Sequence, residues 1–190
     1  MRFALRSAIP AIIVIACLAA PASASKQVIG SGMARQCYLD AENQRATRFT
    51  IAGCTEALTD EALTPEDVVA SHVNRGILYM QIGDYDVAMR DFDEALQLDP
   101  NEPEAYLNKA LALFRTEDRW RDSLPLFDIA IEKKTRKPEV AYFARGLANE
   151  MAGNIREAYN DLRTAAQIAP KWEAPPRELA RYSVRPKSGT

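Results

Sequence analysis

Residues able to do covalent chemistry or bind a metal are few: one His, His72, and three Cys, Cys17, Cys37 and Cys54, among 190 residues. Nucleophilic catalysis needs a base beside its nucleophile, and this set supplies no such pair. No glycine-rich loop is present to cradle a phosphate. Asp84-Tyr85-Asp86 lacks the glycine and distal glutamate of a calcium loop and reads as a turn and helix cap. Asp91, Asp93 and Glu94 read as a solvated helix face, and His72 as an imidazole packed between helices. The expectation is a chain without catalytic residues, metal or cofactor, and so not an enzyme; chemistry through Asp or Glu pairs is the alternative. The formal net charge of −2 argues against nucleic acid as a partner, since phosphate neutralisation needs a basic footprint. The one dense basic run, Lys133-Lys134-Thr135-Arg136-Lys137, complements the negative end of a helix. Contact with an anionic lipid or cell-wall polymer is its other reading.

The elements that must position these residues repeat. Ala88, Phe92 and Ala95 align with Ser123, Phe127 and Ala130, and again with Ala158, Leu162 and Ala165, each step being 35 residues. A small residue lies upstream of each trio, at Gly76, Ala110 and Gly146, where two antiparallel helices approach closely. Apolar residues at Ile77, Leu78, Met89, Phe92 and Leu96 recur at helical spacing. Pro100 and Pro170 punctuate the units, because proline cannot continue a helix interior.

This pattern resembles the tetratricopeptide repeat, a family of helix-turn-helix units. The best copy runs Asn74-Arg75-Gly76-Ile77-Leu78-Tyr79, then Gly83-Asp84-Tyr85, then Ala88, Phe92, Ala95 and Pro100. The resemblance implies an all-α fold: a right-handed superhelical array of antiparallel helix pairs, closed by a C-terminal capping helix. The repeat domain is expected over residues 25–174, with a degenerate unit at 31–62 and units at 65–101, 102–137 and 138–170. A capping helix at 175–182 and a disordered tail at 183–190 follow. Thr64 and Pro65 mark an early helix start in the second unit. Pro125 requires the second helix of the third unit to begin late, after Asp122, or to kink.

In the register of the degenerate unit, Cys54 takes the Phe92 position and Cys37 faces it from the preceding helix. In an oxidising compartment this suggests a disulfide; two buried thiols packed as small hydrophobes are the alternative.

The family's concave side implies a partner-binding groove. By position it is lined by Val73, Asn74, Ile77, Met80, Gln81, Leu107, Asn108, Leu111, Phe114, Phe143, Leu147 and Met151. A protein or peptide with hydrophobic anchors suits this set; the alternative is that several of these side chains are core. The positions where some relatives grip a C-terminal carboxylate hold Glu104, Asn108, Val140 and Ala144, so that activity is not carried over. Arg75, Lys109 and Arg145 read as structural bases packed against the second helices.

Residues 1–24 read as a bacterial signal peptide. Arg2 and Arg6 precede an apolar run from Ala8 to Ala20, too short to span a bilayer, and Ala22-Ser23-Ala24 offers the cleavage site. The destination is then the periplasm, and the function a non-enzymatic interaction scaffold in the cell envelope. The alternative is an envelope structural or assembly factor, a lipoprotein of the inner or outer membrane acylated on Cys17. Membrane association is expected only in that case.

Overall fold

The computed structural model describes residues 2–5, 24–28 and 32–185. Residues 6–23, with Cys17 and most of the expected signal peptide, and residues 186–190 of the expected tail lie outside the described residues. The chain divides into two compact bodies. Ser23–Arg136 forms one, and Lys137–Thr190 with Met1–Ala22 the other.

The first body holds α1 (Met33–Glu42), α2 (Arg48–Asp60), α3 (Pro65–Gln81), α4 (Tyr85–Leu98), α5 (Pro103–Phe114) and α6 (Ser123–Glu132). Local chemistry sets the helix starts. Thr47 and Thr50 form a reciprocal capping box ahead of α2. Thr64 accepts a hydrogen bond from the Asp67 backbone N–H at 3.2 Å, and Pro65 opens α3 where no N–H is needed. The Glu61 carboxylate accepts from the backbone N–H groups of Met33 and Ala34, so the end of α2 caps the start of α1. Consecutive helices pack as hairpins, α1 on α2, α3 on α4 and α5 on α6. The α3–α4 turn is made by Gly83 at φ 84°, a left-handed conformation that glycine adopts without penalty. Pro125 lies in the first turn of α6, which begins at Ser123 after the 3-10 turn Trp120–Asp122. The missing N–H therefore costs no helical bond. Between α1 and α2, buried Cys37 and Cys54 place their Sγ atoms 2.07 Å apart.

The second body holds α7 (Pro138–Met151), α8 (Ile155–Ile168) and α9 (Ala174–Leu179). Trp172 covers Phe143, with ring centroids 4.7 Å apart. Glu150 of α7 anchors the end of the chain, accepting from Arg181 at 2.6 Å and from the Tyr182 hydroxyl. Burial and the Glu150 carboxylate together raise the Tyr182 pKa, so its phenol stays a donor. The capping helix is shorter than expected and stops at Leu179. Residues 183–185, expected to fray, instead belong to the strand β2 (Tyr182–Arg185). It pairs antiparallel with β1 (Arg2–Leu5), Phe3 opposite Val184 and Ala4 opposite Ser183. Extended backbone satisfies its N–H and C=O groups by pairing, and β1 supplies the partners. This ladder exists only in a chain that retains residues 2–5.

All nine residues of the three aligned trios are completely buried, which places the repeat signal in the core. Both bodies are helical, and β1–β2 is the β structure among the described residues. No described helix is long and apolar enough to cross a membrane.

Candidate peptide-binding groove

Two of the expected groove residues, Asn74 of α3 and Asn108 of α5, stand 34 residues apart on the first helices of neighbouring pairs. Both are fully buried, and what covers them is the segment Ala24–Val28. The Asn74 carboxamide accepts from the Lys26 backbone N–H at 3.0 Å and donates to the Lys26 carbonyl at 2.8 Å. Asn108 treats Ala24 in the same way, accepting from its N–H at 3.4 Å and donating to its carbonyl at 3.1 Å. A second donation, to the Glu104 carbonyl at 2.8 Å, fixes the Asn108 amide within its own helix. In extended chain the N–H and C=O of one residue share an edge, and residues two apart present the same edge. Two carboxamides therefore act here as a neighbouring strand would. The opposite edge is held by Arg136, whose Nη2 donates to the Ser25 carbonyl at 2.5 Å.

Side chains complete the contact. Lys26 pairs with Glu102, which is 3% exposed, and the Ser25 hydroxyl donates to Glu42. Val28 packs in an apolar cluster with Ala34, Ala57 and Ala70, flanked by Met33, Tyr38 and Leu63. Gln27 is exposed. Burial and the neighbouring Glu104 carboxylate, to which a protonated Glu102 donates, push the Glu102 pKa up, while the Lys26 ammonium opposes the rise. Glu104, equally buried, accepts from the Arg136 backbone N–H at 2.8 Å and from its Nε at 3.3 Å.

The remaining groove residues are placed as follows. Val73, Ile77, Met80, Leu107, Leu111 and Phe114 are buried in the first body, as are Phe143 and Leu147 in the second. Met151 is 37% exposed. Gln81 is half-buried and donates to the Ala41 carbonyl at 3.0 Å. The structure thus brings the two amides onto a peptide backbone and places most of the apolar members inside the helix packing.

One other reading is corrected. Asp91, expected on a solvated face, is 4% exposed and accepts from Arg75 at 2.7 and 2.9 Å, with His72 Nδ1 at 3.1 Å. Asp161 repeats this with Arg145 at 2.6 and 2.9 Å. The carboxylate is drawn inward because the helix-packed guanidinium needs a partner. The basic run begins at Lys133, the C-cap of α6, and its side chains go to different partners. Lys133 donates to Asn101 at 2.7 Å, Thr135 is buried, and Arg136 turns to Glu104 and Ser25.

Missing from the sequence reading are Ala24–Val28 as an occupant and Glu42, Glu102 and Arg136 as its holders. The available signal was the recurrence of Asn at 74 and 108, beside two acids, Glu102 and Glu104, at the start of α5.

The first body is thus a stack of helix pairs whose first helices α3 and α5 hold a segment of the same chain through side-chain amides. A family model described as TPR repeat matches residues 76–116, the stretch that runs from the middle of α3 through α4 and α5. Two solved structures share the fold, "MamA RS-1 ArsTM double mutant" and "MamA 41-end from Desulfovibrio magneticus RS-1". Each aligns at a TM-score of 0.61 and 20% identity over 80% of this chain, covering 83% and 84% of their own. At that identity the likeness speaks for fold alone. No curated protein matches.

Proposed function

We propose that this protein is a non-enzymatic scaffold that holds an extended peptide of a protein partner across α3 and α5. The reading is carried by one observation: Asn74 and Asn108 each close on both backbone groups of one residue in an extended segment. Backbone reading of this kind tolerates many sequences, as strand addition to a sheet edge does. The test is affinity capture from cell-envelope extract with wild type and with Asn74→Ala plus Asn108→Ala. These positions are preferred to Ile77 and Leu111, whose side chains are buried in the helix packing. Bound proteins are expected to fall at least tenfold with the double variant; equal capture overturns the reading.

We further propose export to the periplasm through cleavage after Ala24, with lipid attachment at Cys17 as the alternative. Arg2, Arg6, the apolar run and Ala22-Ser23-Ala24 support export. The Sγ separation of Cys37 and Cys54 supports a disulfide, which an oxidising compartment permits. Cleavage would remove Ala24 and free Asn108, while Lys26 stays on Asn74. A bond closing this separation of 17 residues contributes about 3 kcal/mol. Reduction of the purified protein is expected to lower its unfolding free energy by that amount, read as a lower denaturant midpoint. An unchanged midpoint, or two titratable thiols before reduction, refutes the bond.

A further inference from the structure

The contacts of Ala24–Val28 do more than cover the groove; they specify a sequence. Ala24 is 2% exposed, so the pocket that takes it has no space for a long side chain. Ser25 is 6% exposed and its hydroxyl meets Glu42. Lys26 meets Glu102, a buried carboxylate that needs a cation to offset its desolvation. Gln27 faces solvent and is not read. Val28 fills a cluster walled by three alanines, which suits a side chain of its size.

The segment is held by side chain-to-backbone bonds and carries no regular secondary structure of its own. Another extended peptide can replace it bond for bond, because the hydrogen bonds of both carboxamides to the segment go to its backbone. Resting on the groove reading above, we infer that Ala24–Val28 in the uncleaved chain, and Ser25–Val28 once cleavage after Ala24 has occurred, is an internal ligand, that the groove selects extended peptides of the form small–Ser-sized–basic–any–Val-sized, and that a partner must displace it. This differs from the hydrophobic-anchor expectation, since the residue between the small and the apolar positions must be cationic. The internal copy also sets a threshold. A tethered segment acts at an effective concentration on the order of millimolar, so weak ligands are refused.

The test uses the full chain and a fluorescent synthetic peptide of residues 22–30, read by anisotropy. Lys26→Glu plus Val28→Asp in the protein weakens the internal copy and leaves the groove intact. This variant is expected to bind the peptide at least tenfold tighter than wild type does. A peptide carrying Lys26→Glu is expected to bind the variant at least tenfold more weakly than the native peptide. Equal binding by wild type and variant, or equal binding of the two peptides, overturns the inference. If the variant loses helical circular dichroism, Lys26→Ala alone is read in the same way. A mixed-sequence nonapeptide pool separates the two failures. Binding of the pool that depends on Asn74 and Asn108, without preference for the native peptide, sinks the internal-ligand inference and leaves the groove. Binding of neither sinks both. A wild-type dimer that the variant abolishes places the segment in a second copy and overturns the intramolecular threshold.

Discussion

Asp91→Ala is expected to destabilise the first body by about 3–5 kcal/mol, the range for removing one partner of a buried ion pair. The carboxylate accepts two bonds from Arg75 and lies 3.1 Å from His72 Nδ1, with 5% of its side chain exposed. Removal leaves Arg75 charged and without its partner between α3 and α4. Burial disfavours that charge, but the hydrogen bond and field of Asp91 outweigh it and raise the Arg75 pKa. The arginine cannot relieve the loss by giving up its proton, because a guanidinium stays protonated in proteins. Asp93 is the control. Its pair with Lys109 is on the surface, 47% of its side chain being exposed, and Asp93→Ala is expected to cost under about 1 kcal/mol. Urea midpoints measure both.

The same carboxylate fixes an acid response. Burial raises the Asp91 pKa, but bonds from His72 and Arg75 prevail and hold it below the usual 3.8. A depressed folded pKa means that Asp91 stabilises the fold fully above 3.8 and loses this as pH falls through its own titration. The gap between wild type and Asp91→Ala should be present at neutrality and shrink as pH falls below 3.8. A gap that closes at neutral pH contradicts the ion-pair account.

What was legible in the sequence is what recurs. The trios, Gly76 and the proline boundaries are contacts between neighbouring helices, and their period of 35 residues exposed them. Asp91 and Asp161 also recur, 70 residues apart, each 16 residues after its arginine. Charge concealed them, because an acid on a helix is usually solvated and the intervening position is Leu126. Lys109, deprived of an acid there, reaches Asp93 of α4 instead. The segment Ala24–Val28 was illegible for another reason. It is too short to show a period, and its partners at Asn74 and Asn108 lie 48 and 84 residues away. Within the expected groove, position along the first helix includes the two amides that meet Ala24–Val28, but does not separate side chains that meet this segment from those buried between helices.

Phe92→Ala is expected to cost about 3–5 kcal/mol, as for other buried aromatic truncations. The ring is completely buried, and Gly76 is what admits it. A Cβ at position 76 would lie 2.6 Å from Phe92 Cε1 and 3.0 Å from Cδ1 and Cζ. Gly76→Ala in the wild type therefore sets two effects against each other. Alanine gains about 1 kcal/mol in helix propensity, while overpacking costs typically about 1–3 kcal/mol. With the ring shut in on all sides, the steric cost prevails and the substitution destabilises. In the Phe92→Ala background the clashing atoms are gone and only the propensity remains, so Gly76→Ala should stabilise by up to about 1 kcal/mol. The sign must reverse between backgrounds, which makes the double-mutant cycle decisive. The same sign in both would mean that Gly76 is required for some reason other than the approach of α4 to α3.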